Sequence, residues 1–143
     1  MALDWPLHTL LPHSRDMILI DDPATVGDDW AETTVRIGED AMFCRPGKGV
    51  PSWVGIEYMA QTVALYAGAE SRRASEAIHI GMLLGTRRYM ANVSWFRVGL
   101  ILRIRGTRVW QDERMAVFDC IIDTDERLAE AQLNVYLGQE LEL

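Results

Sequence analysis

Between Trp30 and Ile37, large or branched residues alternate with polar ones, the two-residue period of a strand with one buried face. Met17 to Asp21 is a shorter apolar run and predicts a brief strand. Residues 40–49 hold Pro46, Gly47 and Gly49 and predict a loop. The pattern then changes. From Pro51 and Ser52, which suit a helix start, a run without proline continues to Arg73 and predicts a long helix over Ser52–Arg73. Its small residues Gly55, Ala60, Ala64, Ala67 and Gly68 would let a sheet wrap closely around it. After Ala77 the chain reads as strand: Ile78–Gly85, Arg97–Trp110, Met115–Asp123 and Leu128–Leu137, the last two split by the polar turn at 123–127. One long helix against a large antiparallel sheet is an α+β arrangement. Neither a repeat nor a long linker divides the chain, so residues 1–143 are expected to form one domain.

The predicted helix is apolar nearly all round, which is the mark of a buried helix. Glu57 lies in its first turns and Gln61 one turn later on the same face. A carboxylate in such a setting is costly unless it is paired, protonated or used. Glu57 is therefore the leading candidate for chemistry. The bland alternative is a structural carboxylate held by Gln61, a backbone N–H or an arginine.

Composition narrows the function. The 143 residues carry a net charge of −7, and no Lys/Arg block interleaves with aromatics, which argues against nucleic acid. Docking to an anionic partner would need a local basic patch, for which the arginines from Arg72 to Arg108 are the material. Cys44 and Cys120 form no Cys-x-x-Cys pair and have no histidine at metal-ligand spacing. No metal site and no cofactor is expected, and the two thiols suit a reducing cytoplasm. The N-terminus, with Asp4, Pro6 and His8, does not read as a signal peptide, and no run of about 18 apolar residues would span a bilayer.

Two patches carry a resemblance. Leu11-Pro12-His13 followed by Met17-Ile18-Leu19-Ile20-Asp21 resembles the Leu-Pro-His-Arg…Leu-Leu-Val-Asp opening of the 3-hydroxyacyl-carrier-protein dehydratases of fatty-acid synthesis. Val50-Pro51-Ser52…Ile56-Glu57-Tyr58-Met59-Ala60-Gln61 resembles their Met-Pro-Gly…Ile-Glu-Ala-Met-Ala-Gln. With His79-Ile80-Gly81-Met82-Leu83-Leu84-Gly85 added, the chain is most similar to the dehydratase-like proteins of aryl-polyene pigment clusters. The resemblance implies a hotdog fold, one long central helix wrapped by a five- to six-stranded antiparallel sheet. It implies elimination of water from a 3-hydroxyacyl thioester carried on an acyl carrier protein. It further implies an active site shared across a dimer, either of identical chains or with a paralogous hotdog dehydratase. The family's helix acid falls on Glu57.

The match breaks at the second catalytic group. The histidine that precedes the helix in the fatty-acid enzymes falls on Phe43, within Met42-Phe43-Cys44-Arg45-Pro46. Elimination needs a base for the α-proton and an acid for the leaving hydroxyl. His13 and His79 are the candidates to replace the missing group, each with a structural role as its alternative. The family's carbonyl-polarising glycine becomes Ser52, so Ser52 and Trp53 are candidate carbonyl contacts at the helix start. Gln61 and Phe43 complete the expected substrate-binding set. Three functions stay open: a dehydratase or dehydratase-like subunit, a hotdog thioesterase directing water with Glu57 alone, and a non-catalytic acyl-binding or partner subunit. Because a lone sheet leaves an edge to be paired, at least a dimer is expected.

Overall fold

A computed structural model describes Leu7, residues 17–73 and residues 82–136. The alternation at Trp30–Ile37 gives β2 (Trp30–Arg36), whose side chains alternate between buried and half-buried. It follows β1 (Asp21–Val26). The proline- and glycine-bearing loop leads to the two-residue strand β3 (Val50–Pro51) and a 3₁₀ turn over Ser52–Val54. The helix α1 then runs Gly55–Arg73. Four further strands are long or moderately long: β4 (Met82–Ala91), β6 (Ile101–Gln111), β7 (Met115–Asp123) and β8 (Arg127–Tyr136). A short strand, β5 (Trp95–Phe96), pairs with β3.

Among the described residues six strands form one antiparallel sheet in the order β1-β2-β6-β7-β8-β4. The inner face of β2, β6, β7 and β8 buries Val35, Leu102, Ile104, Phe118, Ile122 and Leu133 against the helix. From α1 come Tyr58, Met59, Val63, Leu65 and Tyr66. Each such side chain removed from water contributes about 1.5–3 kcal/mol. The Tyr66 and Phe118 rings meet edge-on at 5.6 Å, and the Tyr66 hydroxyl donates to Asp28 O at 2.6 Å. The buried hydroxyls of Thr33 and Thr62 satisfy one another at 2.8 Å. One helix laid across a six-stranded antiparallel sheet is the hotdog arrangement, as expected.

Four expectations shift. The strand read at Met17–Asp21 begins only at Asp21, because the backbone of Met17 and Leu19 bonds to the Gln61 side chain instead of a neighbouring strand. The helix start is a 3₁₀ turn: Pro51 has φ −57° and ψ 138°, and no side chain caps the turn. Of the small helix residues, Gly55 and Gly68 are buried, whereas Ala60, Ala64 and Ala67 share with Glu57 a half-buried stripe. The strand read at Arg97–Trp110 starts at Ile101, after a turn in which Gly99 has φ +98°. Residues 78–81 and 137 of the predicted strands lie outside the described residues.

Both rims of the sheet are irregular. β1 carries Pro23 and shifts register between Asp21 and Thr25. β4 shifts register between Leu83 and Gly85 and again between Arg87 and Met90, with Arg88 in a left-handed conformation at φ +56°.

Candidate active site at the start of the helix

The loop, the 3₁₀ turn and the first turns of α1 gather the described candidates at one end of the molecule. Glu57 stands in the first turn of α1, half-buried. Gln61, one turn on, is fully buried and its amide is committed to the protein. Its nitrogen donates to Glu57 Oε1 at 3.1 Å and to Met17 O at 2.8 Å. Its oxygen accepts from Leu19 N–H at 2.8 Å. One side chain thus fixes the carboxylate and fastens the segment at 17–19 over the helix. Both amide hydrogens are used, so Gln61 orients Glu57 and has no further hydrogen to donate to a ligand.

Ser52 and Trp53 form the 3₁₀ turn that precedes Glu57. The Ser52 N–H donates to Ser94 O at 3.0 Å, which ties the turn to the residue before β5. Its carbonyl accepts from the Tyr89 hydroxyl. Gly55 lies against that hydroxyl so closely that any β-carbon there would strike it, with Ile122 and Phe96 just beyond. Tyr89 reaches this point from β4 one residue after the left-handed Arg88, where the register shift re-aims the strand. Burial raises the Tyr89 phenol to about 12. Tyr58, on the same end of α1, is raised still further by burial and then by the neighbouring Asp21, Cys44 and Tyr89. Both phenols therefore stay neutral donors at physiological pH. The residue pattern does not single out Tyr89. Only the bulge in β4, which leaves no mark in the residue pattern, shows that it anchors the helix start.

Phe43 occupies the loop with φ +68°, a conformation that a bulky residue adopts at a cost. Its ring meets that of Trp53 at 5.7 Å, and the two are 45% and 57% exposed. An aromatic pair at the helix start is an unusual amount of apolar surface to leave in water. His13 and His79 lie outside the described residues. Among the described residues no group of His, Cys, Asp and Glu could hold a metal ion, and no helix is long and apolar enough to cross a membrane.

A carboxylate held by an amide stands beside a 3₁₀ turn and an exposed aromatic pair on the helix of a hotdog fold. The chain belongs to the ApeP-like dehydratase family, described as ApeP dehydratase, which matches residues 5–143. Among solved structures it is similar to the dehydratase heterocomplex ApeI:P from Xenorhabdus doucetiae. That match has 29% identity and a TM-score of 0.87, over 96% of this chain and 94% of that one. A Streptococcus pneumoniae protein described as a hypothetical thioesterase, solved with coenzyme A, has a TM-score of 0.64 at 13% identity, covering 82% of each chain. The E. coli PaaI protein of the phenylacetic acid degradation operon has a TM-score of 0.63 at 11% identity, over 82% of this chain and 80% of that one. These last two share the fold alone. No curated protein matches the chain.

Proposed function

We propose that this chain is a dehydratase-like subunit of aryl-polyene-type biosynthesis, a single hotdog domain that works in the cytoplasm beside a paralogous hotdog dehydratase. The substrate is a 3-hydroxyacyl thioester on an acyl carrier protein, and the reaction is loss of water to the 2-enoyl thioester. The observation that carries the reading is Glu57 held by the Gln61 amide, with Phe43 where the fatty-acid enzymes place their histidine. The heterocomplex architecture of the Xenorhabdus relative supports a paired rather than solitary subunit.

The roles divide as follows. Glu57 exchanges the proton at the reacting carbon or at the leaving hydroxyl, and Gln61 keeps its carboxyl aimed. The Trp53 N–H, at the positive end of α1, polarises the thioester carbonyl, since the Ser52 N–H is committed to Ser94. The Ser52 hydroxyl remains as a second contact. Phe43 and Trp53 form the wall along which a flat conjugated chain lies. The second acid–base group comes from the partner, or from His13 or His79.

Turnover of a carrier-bound 3-hydroxyacyl thioester, followed by mass for loss of water, tests this. The protein would be assayed alone, mixed with a paralogous dehydratase, and as Glu57→Gln, His13→Ala and His79→Ala. Water loss by the mixture that falls about 10²–10⁴-fold in Glu57→Gln is the expected result. Full activity of the mixture with Glu57→Gln would make the chain a non-catalytic partner. Release of free thiol without enoyl product would make it a thioesterase.

A further inference from the structure

Tyr89 reaches the helix start through an irregularity in its own strand. Opposite β8, Arg87 pairs with Gln132 and Met90 with Glu130, so Arg88 and Tyr89 together fill the place of one residue. Arg88 absorbs the extra residue at φ +56°. Arg87 and Arg88 are in consequence both exposed. Tyr89, which strict alternation would put on the outer face with Arg87, instead turns inward. Its hydroxyl ends in the space that the missing β-carbon of Gly55 leaves free. There the O–H donates to the Ser52 carbonyl, which also accepts the N–H that closes the 3₁₀ turn. Further along the same stretch, Ser94 O takes the Ser52 N–H at 3.0 Å and Trp95 pairs with Pro51. Residues 89–95 thus hold Ser52 by both its N–H and its carbonyl.

The Ser52 carbonyl and the Trp53 N–H belong to one peptide unit. A hydrogen bond accepted by the oxygen draws electron density through the amide and makes the N–H a stronger donor. Because the unit is planar, the same bond also fixes where that N–H points. Trp53 is second in the 3₁₀ turn, so its N–H has no acceptor within the turn. Glu57 follows about one helical turn later. Packing against Gly55 asks only for a ring at position 89. A neutral O–H on this one carbonyl acts on the donor beyond it.

We propose that Tyr89 is a positioning residue for the thioester carbonyl: through the Ser52–Trp53 peptide its hydroxyl aims the Trp53 N–H and strengthens it as charge gathers on the carbonyl oxygen. The identity of the substrate rests on the dehydratase reading; the route from Tyr89 to the Trp53 N–H rests on the geometry. Two measurements on this chain paired with a paralogous dehydratase test it. The first is water loss from a carrier-bound 3-hydroxyacyl thioester. Tyr89→Phe should lower kcat about three- to tenfold and leave KM nearly unchanged, since the oxygen gains its charge only in the transition state. That is a fraction of the roughly 10²–10³-fold that losing an oxyanion donor outright costs. The second measurement needs no turnover. Infrared difference spectroscopy reads the carbonyl stretch of bound butyryl-pantetheine, isotope-labelled at that carbon and without a hydroxyl to lose. The partner is the same in every sample, so differences between variants report this chain. The stretch should rise in Tyr89→Phe and fall in Tyr89→3-fluorotyrosine, a more acidic phenol of nearly the same shape. A stretch that ignores both substitutions overturns the proposal, as does an unchanged kcat in a folded Tyr89→Phe pair. Where Tyr89→Phe does not fold, the fluorotyrosine shift decides alone. Elimination that depends on Glu57, with the stretch unmoved by either variant, removes Tyr89 and leaves the dehydratase reading. A stretch that follows the acidity of position 89, in a pair that eliminates nothing, keeps the hold of Tyr89 on the carbonyl and removes that reading.

Discussion

Gln61 is the residue on which the most depends. Its three bonds join the carboxylate of Glu57 to the backbone of Met17 and Leu19, so one substitution disturbs both. Gln61→Met keeps the volume but removes the partner of the part-buried Leu19 N–H and of the Met17 carbonyl. Urea unfolding should show a loss of about 2–3 kcal/mol. Two buried phenols set the alkaline limit. Tyr58 and Tyr89 are harder to ionise in the fold than in the unfolded chain, where a tyrosine ionises near 10.0. Above that pH the folded state holds more protons than the unfolded one, so stability falls as pH rises; below it the contribution is complete. Thermal unfolding followed across this range should stay level below pH 10 and decline above it, less steeply in Tyr89→Phe. A decline of equal slope in that variant would remove Tyr89 as a cause.

The loop before β3 offers a sharper test at the scale of the element. Gly47 and Gly49 both have positive φ, at +75° and +102°, but a β-carbon at Gly47 meets open space while one at Gly49 strikes the Phe96 carbonyl. Gly47→Ala should therefore cost about 1 kcal/mol and Gly49→Ala clearly more, measured by denaturant unfolding. Gly55→Ala should be destabilising too, and partly rescued by Tyr89→Phe, since the hydroxyl is the first atom the new methyl meets. These elements were unequally legible in the chain. β2 follows from period alone, and α1 from an uninterrupted run with a proline at its start. β1 was misplaced because Gln61, distant in sequence, takes the backbone bonds of residues 17 and 19. β5 is two residues long and carries no period. Glu57 and Gln61 stood out as polar residues on an apolar helix. The pair of cations over Trp95 did not, because Arg45 and Lys48 meet that ring only through the pairing of β3 with β5. Arg45 and Lys48 flank Pro46-Gly47, and a turn with a cation on each side was the one trace available.

For the whole molecule, the sheet order leaves β4 as a rim, and the exposed pair Phe43 and Trp53 adds apolar surface at the helix start. Both need a partner. Light scattering at micromolar concentration should give a mass above the 16.2 kDa of one chain, alone or after mixing with a paralogous dehydratase. A 16.2 kDa species in both would remove the shared site. The two register shifts and the left-handed Arg88 that interrupt β4 bear on what happens before that partner arrives. A flat, regular rim would template any extended peptide, including a misfolded copy of itself, and would grow into fibrils. An interrupted rim offers short lengths of ladder that only a strand with matching breaks can follow. An unpartnered copy is thus expected to seed fibrils slowly, and straightening β4 should appear as a shortened lag in thioflavin fluorescence.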